Sequence, residues 1–529
     1  MATPPAPASA FPRPPSGRLW PKLLFGLACL GTLALVFGTL AQRRGGTSGD
    51  GASAAPAAAE RAAVAKLVPP PVPDDQNFAM TPFLATLLDR SIASTNDWPE
   101  DFSRANNAVQ NPSVENSPDG RRTGRLITDL TAWKEAFNEA GRTRRPTRVD
   151  AREVVDASAN ALAAVDVLAA LRPFEPVLEE LRGASRRPFS RFNIRYDQPN
   201  PWAILLPHLA VVKRTCQLLR LKTSAELAAG HSEQGFQDAM LMLRLGGSVR
   251  NEPILLSQLT RLACFNITLQ CLWEGLAGRR WSETQLQALQ GGLEQLDFVG
   301  DLDRMLEAER AWGVLTIALA RDRAWPNLLG TLLDEEQQAQ PWVREAQRAF
   351  VQCPRDWFTQ EQKNYSRLFD EQLRPGFDAR PRRVFPRLVD ENARRVEETL
   401  QDTSRLLNEH LVFAKLLATT PRPRVHLRFA QAQGMADLAV TACALERHRL
   451  GQQQHPASLS ALSPRYLKVV PHDLVSGGPL HYEATARGGF VLYSVGWNET
   501  DEQGTPAFID SGSALDPKAG DWVWCYPAN

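Results

Sequence analysis

The sequence predicts a mainly helical chain with three parts. These are a single transmembrane helix near the N-terminus, a helical bundle or array of helical hairpins, and a small C-terminal α+β module. Three observations carry this expectation. Residues 23–41 hold no charge, apolar residues recur at helical spacing through the middle of the chain, and strand-type segments occur only from His481 onward.

The 529 residues are 43% apolar and 22% charged, which suits a folded protein large enough for more than one core. Lys+Arg 60 against Asp+Glu 59 leaves a net charge of +1, without the basic surplus that a nucleic-acid binder concentrates, so no nucleic-acid partner is expected. The arginine-, alanine- and leucine-rich composition suggests a high-GC bacterial genome.

Residues 1–18 are rich in Pro, Ala and Ser and are expected to be a disordered tail. Residues 19–42 are expected to be the transmembrane helix. Their uncharged stretch approaches the roughly 20 residues needed to cross about 30 Å of hydrocarbon, and Trp20 stands at an interfacial position. The run is longer than a signal peptide core, which favours an uncleaved anchor over cleavage at Thr39-Leu40-Ala41. Residues 43–77 read as a flexible Pro/Ala/Gly linker, stiffened into polyproline II over 68–73. Residues 78–145 read as an irregular arm with short helices at 82–89 and 129–140.

Residues 146–422 read as the helical domain. Leu209, Val212, Cys216 and Leu219 form a helical stripe. Ser232 is placed to cap the next helix, which stops at Gly246-Gly247. Pro253 suits the first turn of the helix after it. Ser282-Glu283-Thr284-Gln285 matches a capping box ahead of Leu286, Leu289 and Leu293. Further helices are expected at 301–323 and, long and charged, within 383–419. Residues 423–529 are expected to be the α+β module: a helix over 425–450, then strands at 481–484, 489–495 and 521–524.

The chemistry-bearing residues give few patterns. H-E-x-x-H, G-x-S-x-G, the Walker loop and G-x-G-x-x-G are absent. His448, His455, His472 and His481 lack a recurring ligand spacing and read as solvated. The seven cysteines form no C-x-x-C pair and read as small buried apolar residues. Glu307 and Glu309, beside Arg310 and Trp312, suit acid/base work but read better as structural ion-pair partners of Arg304 or Arg310. The arginine-rich stretches 142–148 and 380–383 read as solvated loops, with anionic lipid or polymer as the alternative contact.

The last segment carries an ordered set of motifs. These are the helix Ala444-Leu445-Glu446-Arg447, His455-Pro456, Tyr466-Leu467, Pro471-His472-Asp473, Ser476-Gly477-Gly478-Pro479-Leu480, and Leu492-Tyr493-Ser494-Val495-Gly496 before an acidic loop. In this order they resemble the globular domain of type II secretion major pseudopilins. The apolar helix lies some 400 residues earlier rather than leading directly into the module, and Leu474 replaces the family's proline after the P-x-D turn. The resemblance therefore implies a shared small fold rather than filament assembly. Asn77-Phe78-Ala79-Met80-Thr81-Pro82 and the closing Gly520-Asp521-Trp522-Val523-Trp524 also resemble uncharacterised membrane-anchored proteins of planctomycete and verrucomicrobial bacteria. That likeness implies an envelope location. Asp501, Glu502, Asp510 and Asp521 are the candidate metal ligands. Carboxylates in a Gly-rich loop suit calcium, and the pseudopilin resemblance implies calcium in the matching loop. No other cofactor is expected.

The resulting expectation is a single-pass protein of a bacterial inner membrane with its C-terminal portion in the periplasm. It is expected to act as a non-enzymatic binding or scaffolding protein with a protein partner. The alternatives are a periplasmic hydrolase using Glu307 or Glu309, and a secretion-system accessory.

Overall fold

The computed structural model describes residues 57–89, 108–110, 125–142, 149–151, 155–322, 353–417, 422–485, 488–509 and 515–525. The expected membrane helix lies outside these residues, and no described helix is long and apolar enough to cross a membrane. The described chain is mainly helical with a small antiparallel sheet near its C-terminal end. It divides into two compact units. One comprises 1–58, 316–365 and 398–419, and the other 59–315, 366–397 and 420–529. A boundary between units falls at 419/420, close to the expected 422/423, but residues 420–529 share their unit with 59–315, and the expected helical domain is divided between both units.

In the larger unit, the stretch read as a flexible linker carries structure from α1 (Ala58–Ala65) onward. A 3-10 turn follows at Asp74–Gln76. Asn77 fixes its end, donating from Nδ2 to the Arg191 carbonyl at 2.8 Å while Oδ1 accepts from the amides of Arg191 at 2.8 Å and Ala79 at 3.1 Å. Helix α2 spans Pro82–Asp89, as its sequence predicts. Helix α3 (Leu130–Ala140) is capped by Asp129, which accepts from the Ala132 amide at 3.0 Å. The short strands β1 (Val109–Gln110) and β2 (Val149–Asp150) pair in parallel.

Helix α4 (Ala157–Leu171) and α5 (Glu175–Ala184) lead to the centre of the unit, α6 (Pro207–Ala228), α7 (Ser232–Gly247) and α8 (Leu255–Ala277). Both α6 and α8 are buried on several faces. This is why neither shows a one-sided apolar stripe over its full length. Two expected helix starts shift. Ser232 is the first helical residue rather than the cap, a place taken by His231, and Pro253 precedes α8 instead of entering its first turn. The capping box of α9 (Glu283–Glu294) forms as predicted: Ser282 Oγ accepts from the Gln285 amide at 3.3 Å, and Gln285 Oε1 accepts from the Ser282 amide at 2.9 Å.

Helix α10 spans Phe298–Arg321 and α11 Arg355–Leu368, followed by a short antiparallel pair, β3 (Phe377–Asp378) and β4 (Arg383–Val384). The stretch 383–419 contains the expected long charged helix, α12 (Pro386–Gln401), followed by two short helices, α13 (Thr403–Asn408) and α14 (Val412–Leu417). One break falls at Asp402, whose Oδ1 accepts from the Arg405 amide. The other falls at His410, whose φ of 49° is left-handed and ends a helix.

Helix α15 (Arg422–Gln452) is the shared spine of the helical body and the sheet, packing on α8 and α9 and on the sheet's last strand. Its buried residues include a run of small ones, Ala432, Ala436, Ala439 and Ala442, where neighbours approach closely. A Cβ on Gly434 would lie 2.8 Å from the Trp522 ring. The sheet has the order β5 (His481–Ala484), β6 (Phe490–Ser494), β9 (Trp522–Cys525), all antiparallel, with Tyr482 opposite Leu492 and Leu492 opposite Trp524. A separate antiparallel pair, β7 (Pro506–Phe508) and β8 (Leu515–Gly520), is unforeseen in the sequence.

Asp473, in the turn of the P-x-D motif, is fully buried. It accepts from the amides of Val475, Ser476 and Val495 at 2.8, 3.1 and 3.0 Å, which ties the turn to the end of β6. Trp273 on α8 donates to the Cys525 carbonyl at 2.8 Å and joins the sheet to the helical body.

In the smaller unit, Trp357 and Phe358 pack on Phe413 with centroids 6.4 and 6.0 Å away. Glu361 has no exposed surface. Its two oxygens accept from the amides of Val412 at 3.2 Å and Phe413 at 2.9 Å, at the start of α14.

Candidate functional site

The larger unit buries a dense ion network where α5, α6 and α7 meet. Lys222 and Glu226 sit one turn apart on α6, and Lys222 Nζ lies 3.0 Å from both Glu226 Oε1 and Asp238 Oδ2. Arg182 on α5 reaches the same Asp238 through Nη2 at 2.5 Å and Nε at 3.0 Å, and Glu175 through Nη1 at 2.7 Å. Burial works against the charged form of Lys222, but the adjacent Asp238 and Glu226 carboxylates outweigh it and raise the ammonium above its ordinary range. The His231 ring closes the network on Glu226 at 2.7 Å. Cations and carboxylates are matched here, so the network holds Arg182 in place at the wall of an adjoining groove.

That groove is a cavity of 1130 Å³, bordered by the end of α5, residues 185–191, one face of α7, the end of α9, and the extended prolines Pro69 and Pro70. Six arginines line it: Arg182, Arg186, Arg191, Arg244, Arg250 and Arg261. The acids in its wall are Glu179 and Glu233. Glu179 accepts from Arg182, and Glu233 from Gln285 and Gln237. Two of the arginine centres are under-neutralised.

At the first, Arg250, Arg261 and Arg304 all converge on the single carboxylate of Asp301. Arg250 Nε lies 3.1 Å from both Asp301 oxygens, and Arg261 and Arg304 pair with it more closely still. Arg261 is only 2% exposed, its guanidinium lies 4.5 Å from the Phe298 ring centroid, and its Nη2 has no hydrogen-bond partner. Burial and the like charges of Arg250 and Arg304 lower the Arg261 pKa from its ordinary value despite Asp301.

At the second centre, Arg244 donates from Nη2 to the carbonyls of Arg187 at 2.6 Å and Phe189 at 2.9 Å, and lies 5.0 Å from the Phe78 ring centroid. Its Nε is buried without a partner, and burial lowers its pKa. Arg191 donates from Nε to the Pro69 carbonyl at 2.9 Å, which folds the proline segment against the groove as a wall. Among the described residues, no carboxylate lies within ion-pair distance of Arg186, Arg191 or Arg244. Guanidinium groups held this way offer preformed forks to phosphate or carboxylate oxygens.

The structure separates the acidic residues singled out in the sequence. Asp521 is buried, and its Oδ2 accepts from the amides of Gly504 at 2.7 Å and Thr505 at 3.2 Å, while Oδ1 has no partner. Glu502 accepts from Asn498 at 2.6 Å through Oε1, and its buried Oε2 is also without a partner. Burial, with the Glu502 charge adding, pushes Asp521 up to about 6. Asp501 caps the amide of Gln503 at 2.8 Å and lies 3.6 Å from His481 Nδ1. Asp510 lies outside the described residues. Glu502 and Asp521 thus belong together and Asp501 faces the His481 side. Among the described residues no group of three or more His, Cys, Asp or Glu is placed to hold one metal ion.

Glu307 pairs with Arg310 at 2.7 Å, the expected partner, and with Arg374 at 3.0 Å. Glu309 accepts from the Leu255 amide at the start of α8 at 3.2 Å. Both carboxylates are engaged in holding helices. A buried chain of His208, Glu252 and Ser257 has the wrong order for nucleophile activation, because Glu252 contacts both His208, at 2.9 Å, and the Ser257 hydroxyl. The described cysteines are buried and unbridged, as the sequence suggests. The groove arginines were missed in the sequence because they come from four segments between 182 and 261. The closely spaced Arg182, Arg186, Arg187, Arg191 and Arg195 were the available signal.

No family model, no curated protein and no solved structure matches this chain.

Proposed function

We propose that this chain is a binding protein of the bacterial envelope, anchored by residues 23–41, whose helical body presents the arginine-lined groove to a ligand or partner. The observation that carries the reading is the positive charge kept in a concave site. The groove residues Arg250 and Arg261 share the single carboxylate of Asp301 with the exposed Arg304, and Arg244 is half-buried against backbone carbonyls. Burying cations without matched carboxylates costs free energy that a purely structural site has no reason to retain. A catalytic role for Glu307 or Glu309 is not put forward, since both are engaged in structural bonds.

The test is a photo-crosslinking amino acid placed at Gln237 in the groove wall, in cells, with Leu162 as the control position. A discrete adduct at Gln237 alone is expected; equal labelling at both positions, or none, refutes the groove as a binding face. The anchor is tested separately by fractionation. Full-length chain is expected in washed membranes, and a soluble product with an intact N-terminus removes that part of the reading.

Glu502 and Asp521 favour a second binding reading, because each keeps one buried carboxylate oxygen without a partner. Calcium is the ion suited to such oxygens, and the pseudopilin resemblance points the same way. A rise in melting temperature at millimolar calcium, lost in Asp521→Asn, is expected. An unchanged melt ends the idea.

A further inference from the structure

We infer that the groove takes a soluble ligand carrying two or more phosphate groups, bridging the Arg244 centre and the Arg250/Arg261 centre. This rests on the groove being the binding face and goes on to name what binds there.

The charge balance sets the sign of the ligand. Two groove guanidinium groups, Arg250 and Arg261, meet one carboxylate at Asp301, a local excess of one positive charge, and the exposed Arg304 draws on the same carboxylate from outside the groove. Arg186, Arg191 and Arg244 add three cations with no described carboxylate within ion-pair distance; Glu179 pairs with Arg182, and Glu233, bonded to the neutral amides of Gln237 and Gln285, offsets one of these charges, so the balance stays positive. The unused donors set its valence. Arg244 Nε and Arg261 Nη2 are buried and unsatisfied, and they belong to different centres on different helices. Buried donors are costly to leave unpaired, so a ligand that reaches both recovers that cost.

The geometry sets the chemical class. The donors arrive from α5, α7, α8 and the 185–191 segment, that is, from several directions rather than one plane. A carboxylate presents two oxygens in a plane and is satisfied by one fork. A phosphate presents three terminal oxygens in a pyramid, so guanidinium groups from separate elements share it, and its greater charge offsets more of the excess. Leu243, Met240 and Leu296 line the same cavity, which gives it apolar surface for the segment that links the phosphate groups.

The experiment is calorimetric titration of the full-length chain in detergent with sodium tripolyphosphate at low salt. Citrate is the polycarboxylate comparison, and phosphatidylcholine vesicles with phosphatidylglycerol are the lipid comparison. Tripolyphosphate is expected to bind at least tenfold more tightly than citrate, with log affinity falling linearly against log salt. Arg244→Gln and Arg250→Gln are each expected to weaken it tenfold or more. Arg186→Gln, at an exposed position, is expected to weaken it severalfold with an unchanged melt, which guards against a folding artefact. The inference is overturned by absent tripolyphosphate binding, by equal citrate affinity, by binding unchanged in all three variants, or by binding to the anionic vesicles alone. If the Gln237 crosslink still forms in any of those cases, the groove remains a binding face with a different ligand. If the crosslink is also missing, both readings fail.

Discussion

Replacing Glu361 by glutamine should remove a pH dependence from the smaller unit. The Glu361 carboxyl is fully enclosed, and burial raises it from its ordinary 4.5 to about 8, against the two backbone amides that pull it down. A carboxyl with a raised folded-state pKa binds protons more tightly when folded. Its contribution is therefore complete below pH 4.5 and is lost as pH rises through about 8. At about 1.4 kcal/mol per pH unit, that window corresponds to on the order of 5 kcal/mol of local stability. His410, lowered by burial, acts in the opposite sense below its ordinary 6.5, so the Glu361 effect is cleanest between that value and 8. The assay is hydrogen exchange at the amides of Val412 and Phe413, corrected for the intrinsic pH dependence of exchange, because a two-unit chain has no single unfolding free energy. Protection should fall steadily with rising pH in the wild type and stay level with pH, at a lower value, in Glu361→Gln, whose single amide oxygen accepts from one of the two backbone amides. Glu361→Ala leaves both amides unpaired and should lose protection at every pH, by about 1–3 kcal/mol for each stranded donor. A level wild-type profile, or a slope that survives in Glu361→Gln, would refute the assignment of a buried, protonated carboxyl.

Two further substitutions probe the frame around the groove and the sheet. Asn77→Ala removes three hydrogen bonds that pin the proline wall, and should cost about 3 kcal/mol, read as a lower melting temperature with earlier proteolysis near residues 69–77. Gly496→Ala puts a Cβ 2.3 Å from the Gly520 carbonyl oxygen at φ +69°, and should cost about 3 kcal/mol or more, read as loss of the near-ultraviolet dichroism of Trp522 and Trp524. A wild-type melt for either variant contradicts the contacts described.

Much of the helical layout was legible in the sequence. Helix α2 begins and ends where its pattern places it, and the capping box at Ser282 forms in full, because helix periodicity and cap chemistry are local. The strands β5, β6 and β9 were readable as short segments of strand-type residues bounded by turn residues. The break of the charged stretch into α12, α13 and α14 was not legible. It depends on a left-handed His410 and on Glu361 reaching the Val412 and Phe413 amides from some fifty residues away. The composition change after Pro423 lies close to the unit boundary at 419/420, but the make-up of the units was hidden, since α15 packs on both the earlier helices and the sheet and joins 420–529 to 59–315.

The candidate site shows the same split. Charge type and acidic-loop composition drew attention to Asp501, Glu502, Asp510 and Asp521; of the three that are described, Glu502 and Asp521 share a buried environment and Asp501 faces His481. By itself the sequence determined which residues are apolar, which segments are helical, and that charges nearly cancel overall. Only the tertiary structure decided where those charges fail to cancel. It brings Arg250, Arg261 and Arg304 onto one Asp301 and leaves Arg244 against carbonyls. Net charge sums over the chain, whereas the field in a cleft depends on which groups lie within a few ångströms of each other in low-dielectric surroundings.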